Sequence, residues 1–504
     1  MTSISIQNSR MSFANRRCAA GSAIVLSLVV VADWLFYGGQ IGISATLFLL
    51  CIAGGVLAVN PSRASRFTKI TAAGFLVAGL IPLCLQFSLA TLLLGVMSVA
   101  IFTVMMVRPA AHWMFTIGEA FLLLVGCIWR AFADVSRFVT VSSNGERASA
   151  YQSAFAIWII PAVLGGFFLF LFASANPLIE DWLLAFNPKN LVAGISLMRV
   201  LFWLLMLSLV WPFVFVARRH SLQLRTKAEL EAAFDRSCND LLSPKLLNNA
   251  SILRSLLVFN VLFAVQSTLD ITYLWGGVTL PAGMNHATYA HRGAYPLIVA
   301  ALLAAAFVLI AMRPGSESEQ SPLIRKLVYL WTAQTLLLVV SSILRLDLYV
   351  EAYSLTYWRL AAFVWMILVG IGLVLIAARI RLQRSNLWLT TGNGIALVLA
   401  IYICSIVNLP SFIAHYNVTH SRDVSGEGAL FDINYIASLG PQAIPALDLY
   451  LAQYRGWGPV VQVRTQREAL VRNWMNQRQS DWRGWTHWDW GLSQYLRQQS
   501  ANSP

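Results

Sequence analysis

The stretch RLDLYVEAYSLTYWR, residues 345–359, lies between two long apolar runs at residues 327–346 and 357–378. Apolar runs of about 20 residues match the thickness of a bilayer when they are helical. The stretch itself gathers charged and tyrosyl side chains, which is typical of a connection that leaves the hydrocarbon layer. We therefore predict that residues 345–359 form a polar extracytoplasmic loop that caps a membrane core.

The composition of the whole chain agrees with a membrane protein. Of the 504 residues, 58% are hydrophobic and 12% are charged, whereas about a quarter of the residues of a soluble protein are charged. Within lipid, only helices and closed barrels satisfy every backbone hydrogen bond. The apolar runs are long and do not alternate, which favours helices. The predicted fold class is therefore all-α, a polytopic transmembrane helical bundle.

About eleven apolar runs are long enough to span a membrane. They are residues 19–37, 41–59, 69–87, 89–107, 151–173, 197–217, 251–275, 296–312, 327–346, 357–378 and 386–408. Residues 112–131 form a further run, but it carries His112, Glu119 and Arg130, so we expect it to lie in the interface. With that assignment most Lys and Arg side chains fall on one side, which predicts a cytoplasmic N-terminus.

The predicted organisation has four parts. They are N-terminal transmembrane helices at 1–110, an interfacial helix and cytoplasmic loop at 111–150, a transmembrane core with outer polar loops at 151–408, and a small extracytoplasmic helical domain at 409–504. In this last part, FDINYIASLGPQAIPALDLYLAQY (431–454) predicts two short amphipathic helices broken at Gly440-Pro441. A stretch with several arginines follows, and it contains Trp474, Trp482, Trp485, Trp488 and Trp490. It indicates a membrane interface or a docking surface, or else a small helical cap that packs on the outer loops.

Two polar stretches, residues 276–295 and 345–359, are predicted on the same outer face, and Asp270 precedes the first of them. An ionisable residue at membrane depth is costly and is therefore a candidate functional residue. We name these side chains the candidate polar cluster. Its members are Asp270, His286, His291, Arg292, Asp347, Glu351, Tyr353 and Arg359.

Four interpretations of the candidate polar cluster stay open. Its imidazoles and carboxylates suit a divalent metal. Arg292 and Arg359 suit an anionic group such as a lipid phosphate, with a carboxylate as base. Its titratable groups also suit a solute path that moves protons. The fourth interpretation is structural: Arg345 pairs with Asp347, and Glu351 pairs with Arg359, as a latch that holds the loop.

Other features narrow the function classes. Asp33 precedes three aromatic residues at the end of the first run, and we expect it to be an interfacial residue. The chain has no GxxxxGK[ST], HExxH or GxSxG pattern, and its six cysteines form no CxxC pair. The net charge of +14 reflects topology and not nucleic-acid binding. No catalytic residue, metal or cofactor is assigned.

Several motifs together are characteristic of one family. They are ANP (175–177), NHATYAHRGAYPL (285–297), LYVEAYSLTYWRL (348–360), YNVTHS (416–421) and FDINYIASLGPQAIPAL (431–447). The chain resembles a bacterial integral-membrane family, domain of unknown function 4173, over roughly residues 150–450. The resemblance implies a bacterial inner-membrane protein with a joined membrane and tail organisation. It implies no activity and no catalytic residue.

The leading functional hypothesis is a non-enzymatic envelope scaffold, sensor or partner-binding component in the inner (cytoplasmic) membrane. Its predicted partners are the lipid bilayer and an envelope protein that binds the C-terminal tail; nucleic acid is not among them. One alternative is a secondary transporter or channel with an outer polar vestibule. The other is a membrane enzyme that acts on a lipid-linked substrate.

Overall fold

The computed structural model describes residues 20–62, 64–108, 113–126, 196–216, 248–272, 317–454, 460–477 and 481–502, with isolated positions at 165, 299, 302–303, 306–308 and 312. Within these ranges the regular structure is helical and contains no β-strand, so the predicted all-α class is confirmed there. The chain divides into two compact units. Unit 1 is Met1–Leu222 with Asp481–Thr486, and unit 2 is Gln223–Ser480 with His487–Pro504.

Unit 1 contains six described helices. They are α1 Ala20–Phe36, α2 Ile43–Val59, α3 Arg66–Leu85, α4 Leu89–Val107, α5 Trp113–Val125 and α6 Leu197–Val214. Serine begins three of them: the hydroxyl groups of Ser65, Ser88 and Ser196 accept hydrogen bonds from first-turn amides. Such caps satisfy amides that the helix itself leaves without partners.

Aliphatic side chains from these helices form one core, in which Val25, Leu83 and Val214 are fully buried. Helices α3 and α4 pack against each other. They approach so closely at Gly79 that an added Cβ would collide with Ser98. Small residues permit such approach between apolar helices, where packing replaces the hydrophobic effect as the source of association.

The described part of unit 2 contains nine longer helices. They are α7 Asn249–Asp270, α8 Pro322–Tyr353, α9 Tyr357–Leu382, α10 Asn386–Ile406, α11 Leu409–Thr419, α12 Ile433–Ser438, α13 Ile444–Gln453, α14 Val460–Gln477 and α15 His487–Asn502. Helix α7 packs on α8, α8 on α9, and α9 on α10. Trp331 is fully buried in the core of this bundle with Leu256 and Ile376 around it.

The tail helices α11 to α14 form a second core within unit 2. Ile413, Leu447 and Tyr450 are completely buried there, and Val350 near the end of α8 and Leu355 just after it belong to the same core. The predicted break is confirmed, because α12 ends just before Gly440 and a 3-10 turn at Pro441–Ala443 leads into α13. Gly440 has a φ of +83°, which glycine adopts without a steric penalty.

Seven described helices are long and apolar enough to cross a membrane: α3, α4, α6, α7, α8, α9 and α10. Helices α1 and α2 are apolar but slightly shorter. These nine helices overlap nine of the predicted spans, and the seven longer ones support a multi-pass membrane protein. The number of eleven spans and the orientation of the chain stay predictions. The predicted spans 151–173 and 296–312 lie largely outside the described residues, and the location of α5 in the interface stays a prediction.

The prediction of a loop over residues 345–359 is wrong. Helix α8 continues to Tyr353, and only Ser354–Thr356 connect it to α9. Polar residues do not interrupt the helix, because its backbone hydrogen bonds are satisfied whatever the side chain is. Asp347 and Glu351, four residues apart, lie on an exposed face, while Val350 is buried in the tail core.

Candidate functional site

The structure describes five members of the candidate polar cluster. Asp270 ends α7, Asp347, Glu351 and Tyr353 lie on the last turns of α8, and Arg359 lies in the first turn of α9. His286, His291 and Arg292 lie outside the described residues. The metal, anion and solute interpretations that depend on them therefore stay predictions.

Asp270 is paired with Arg345, across the contact between α7 and α8. The side chains are 1% and 2% exposed, so the pair is shielded from solvent. Gln266 donates a second hydrogen bond to the same carboxylate oxygen, Oδ1, at 2.9 Å. Oδ2 of Asp270 is buried and has no hydrogen-bond partner within the described part of the chain. The pair therefore presents an acceptor that can take a proton or a donor group.

The predicted pairing of Arg345 with Asp347 is wrong, because Arg345 points into the bundle and Asp347 is exposed on the other side of α8. Side chains two positions apart in a helix do not face each other. The basic and acidic partners instead come from different helices, 75 positions apart in the chain.

Arg359 does not form the predicted ion pair with Glu351 among the described contacts. Its guanidinium group donates a hydrogen bond to the carbonyl oxygen of Tyr353 at 2.5 Å and another to that of Ser354. It also lies over the ring of Tyr349, 4.6 Å from the centroid. Arg359 thus satisfies carbonyl groups at the end of α8, which have no partners inside the helix.

The connection Ser354–Thr356 and the first residue of α9 are held by two tail side chains that the sequence analysis did not single out. Asn417 accepts a hydrogen bond from the Leu355 amide at 2.7 Å and donates one to the Leu355 carbonyl at 2.8 Å. The hydroxyl group of Tyr435 accepts a hydrogen bond from the Tyr357 amide at 2.9 Å. We call this set of contacts the tail clamp.

One signal could have pointed to the tail clamp. Asn417 lies in YNVTHS, Tyr435 lies in FDINYIASLGPQAIPAL, and Leu355 lies in LYVEAYSLTYWRL, so three of the motifs that carried the family resemblance meet in space. The exposed carboxylates also reach the tail. Burial raises the pKa of Tyr416, and the negative charges of Asp347 and Glu351 raise it further.

A second network ties three tail helices together. Asp448 of α13 accepts hydrogen bonds from Arg467 at 2.8 Å and from the Tyr495 hydroxyl at 3.0 Å. Gln499 accepts a hydrogen bond from Arg467 and donates one to Tyr495. Burial and the adjacent Asp448 carboxylate raise the pKa of Tyr495 to about 12. Asp448, Arg467, Gln499 and Tyr495 thus form a ring of hydrogen bonds, in which each side chain contacts two of the others.

Unit 1 has a polar site of its own around Asp33. Arg199 contacts both carboxylate oxygens, with its Nε atom 2.9 Å from Oδ1, and the Trp203 indole donates a further hydrogen bond at 2.8 Å. The Arg199 guanidinium group lies over the ring of Tyr37. Asp33 thus has two partners on α6, which the sequence alone could not select.

Among the described residues, no group of three His, Cys, Asp or Glu side chains is placed to hold a metal ion. Unit 2 therefore offers two features on which a function can be built. One is the buried ion pair inside its apolar bundle, and the other is the tail domain fixed to the end of that bundle.

In a comparison with known families, the family described as Domain of unknown function (DUF4153) matches residues 51–450. The expectation of a family without a defined activity is confirmed, although the family number differs from 4173 and the match begins well before residue 150. No curated protein and no solved structure matches the chain.

Proposed function

This chain belongs to the family described as Domain of unknown function (DUF4153), and we propose that it is a non-enzymatic envelope scaffold, sensor or partner-binding component. We place it in the bacterial inner membrane with about eleven spans, a cytoplasmic N-terminus and the tail, residues 409–504, outside. The distribution of Lys and Arg along the sequence supports this orientation. The tail is then the part of the chain that meets an envelope protein.

The tail clamp is the observation that carries this proposal. Asn417 binds both backbone groups of Leu355, and Leu355 is itself buried in the tail core. A domain attached by buried directional hydrogen bonds keeps a fixed orientation on its membrane helices, which favours a rigid binding platform. Leu430 and Val461 are 70% and 72% exposed on this platform and supply apolar contact area for a protein partner.

Site-specific photo-crosslinking in living cells tests the partner-binding proposal. A small diazirine amino acid replaces Leu430 or Val461, and replacement of Val463 is the control, because Val463 lies on the same helix as Val461 and is fully buried. We expect both exposed positions to yield an adduct with the same protein and the buried position to yield none. Adducts with lipid alone, or none from either exposed position, would contradict partner binding by the tail.

A second candidate function is proton-coupled secondary transport. The buried Asp270–Arg345 pair favours it, because Oδ2 of Asp270 is a buried acceptor that has no partner among the described residues. Substitution of Asp270→Leu together with Arg345→Met removes both charges without leaving one behind. Proton flux into proteoliposomes is then measured with an internal pH dye. Flux with the wild type and none with the double variant would support transport. Absence of flux in the wild type contradicts it.

A further inference from the structure

Residues 481–486, with the sequence DWRGWT, lie on the connection between α1 and α2. This connection, Gly38–Gly42, is short and rich in glycine, and Gly38 has a φ of +73°. The segment and the connection both belong to unit 1, although they stand at opposite ends of the sequence. Each residue from 481 to 485 has an identifiable role in this contact.

The first role is aromatic. The rings of Trp482 and Trp34 are 5.6 Å apart and tilted by 48°, and the Arg483 guanidinium group lies 5.7 Å from the centroid of Trp34. Trp34 therefore meets an indole and a cation at the same time. Such contacts favour tryptophan at position 482 and arginine at position 483 over other side chains.

The second role is a backbone cap. Gly42 precedes α2 and has no side chain that could accept a hydrogen bond, so the first amide of the helix needs another acceptor. The carbonyl oxygen of Trp485 supplies it and accepts a hydrogen bond from the Ile43 amide at 2.8 Å. The segment thus completes the beginning of a membrane helix that its own sequence leaves uncapped.

The third role is close approach. An added Cβ on Gly42 would lie 2.5 Å from the carbonyl carbon of Gly484, and one on Gly484 would lie 2.7 Å from Cβ of Gln40. Real Cβ atoms do not approach other atoms so closely. The contact therefore requires glycine on both sides, which gives it sequence specificity.

The segment also has a hydrogen bond of its own that shapes it locally. The Asp481 carboxylate accepts a hydrogen bond from the Arg483 amide at 3.1 Å and begins the 3-10 turn Trp482–Gly484. A turn that is fixed before binding loses less entropy when it binds. Trp482 remains 47% exposed and Trp485 36% exposed, so the contact lies at the surface, where a peptide can enter.

We propose that Trp34 and Gly38–Gly42 form a receptor for a Trp-Arg-Gly-Trp peptide, and that residues 481–486 are its tethered ligand. The tether keeps the ligand at a high effective concentration, so the receptor is occupied in the intact chain. The proposal stands apart from the tail clamp and from transport, because it rests on unit 1 contacts alone.

Hydrogen exchange on the full-length protein tests the receptor. Gly484→Ala adds the colliding Cβ, and Gly491→Ala is the matched control, because nothing lies within 4 Å of a Cβ there. We expect Gly484→Ala to expose the Ile43 amide, with exchange about tenfold faster, a factor typical of the cost of overpacking. Unchanged exchange at Ile43 would overturn the proposal. Exchange near the buried Tyr450 reports whether the tail remains folded.

A second pair of variants addresses the receptor side. Gly42→Ala should also release the segment, and Gly54→Ala, in the same helix but with open space around it, should not. Equal exchange at residues 481–486 in these two variants would overturn the proposal even if Gly484→Ala failed to fold.

A synthetic peptide distinguishes a receptor from a fixed packing contact. We expect the hexapeptide DWRGWT, added at millimolar concentration to the Gly484→Ala protein, to restore slow exchange at Ile43. A control hexapeptide that carries alanine in place of its own glycine, the equivalent of Gly484→Ala, should not restore slow exchange. Failure of the first peptide, or equal effects of both, would overturn the receptor assignment. Dimers of the full-length wild type that are linked through this segment would instead assign the receptor to a second copy of the chain.

Discussion

Substitution of Asp270→Asn should destabilise unit 2 strongly. It keeps the shape of the side chain but removes the negative partner of Arg345, whose side chain is only 2% exposed. Removal of one member of a buried pair typically costs about 3–5 kcal/mol, because the remaining buried charge loses its counter-ion. A loss of about 1 kcal/mol in the free energy of unfolding lowers the thermal unfolding midpoint of a domain of about 150–250 residues by about 2–4 °C. We therefore expect Asp270→Asn to lower this midpoint by about 10 °C.

The reverse substitution should cost less. Arg345→Met leaves the Asp270 carboxylate, which can take up a proton and become neutral, whereas a guanidinium group cannot lose its charge in a protein. The double variant Asp270→Leu with Arg345→Met should recover most of the loss, because apolar residues of similar volume often replace a buried pair without a net cost. The three variants therefore form a series in which Asp270→Asn is expected to be the least stable and the double variant the most stable.

Thermal denaturation of the purified protein in one detergent measures all four forms. The exposed pair Glu468–Arg472, with side chains 51% and 65% exposed, supplies the control. We expect Glu468→Gln to change the free energy of unfolding by less than about 1 kcal/mol. If Asp270→Asn were as stable as Glu468→Gln, the reasoning that this pair is buried and mutually compensated would be refuted.

Three further predictions concern the tail and the exposed carboxylate. Asn417→Ala removes both hydrogen bonds to Leu355, so that two buried backbone groups lose their partner. It should lower the free energy of unfolding by about 2–3 kcal/mol in the same denaturation assay. An unchanged unfolding midpoint would argue against the tail clamp. The folded state raises the pKa of Tyr495 from about 10 to about 12, so its contribution to stability is complete below pH 10 and is lost as the pH rises through 12. Tyr495→Phe should therefore reduce the fall in tail stability between pH 9 and pH 12, followed by circular dichroism, and an equal fall in both proteins would count against this linkage. Glu351→Gln should change stability by less than about 0.5 kcal/mol because Glu351 is exposed; a loss as large as that of Asp270→Asn would show that Glu351 has a buried partner.

The same series of variants also separates the two candidate functions. A scaffold needs the fold and not the charge, so the double variant should keep both abundance and the host phenotype. A transporter needs the titratable group, so the same stable variant should lose flux and phenotype together. The Asp270→Asn variant alone cannot make this distinction, because we expect it to lose stability as well.

The sequence by itself determined the class of the protein and the position of most helices. Hydropathy is a sum over neighbouring residues, so the runs near 89–107 and 386–408 predicted helices that the structure places at Leu89–Val107 and Asn386–Ile406. The break at Gly440-Pro441 was equally local, because it depends on the backbone freedom of glycine and the missing amide of proline. The same local reasoning failed at residues 345–353, where polar side chains suggested a loop although the helix continues.

Only the tertiary structure decided which polar groups meet. The sequence suggested an ion pair between Arg345 and Asp347, two positions away, whereas the carboxylate that pairs with Arg345 is Asp270, on another helix. Asn417 and Leu355, 62 positions apart, are joined in the same way. The physical reason is that the crossing of two helices is set by the packing of their whole apolar faces. A polar side chain then binds whatever partner that crossing brings within reach, and its own neighbours in the sequence do not encode this choice.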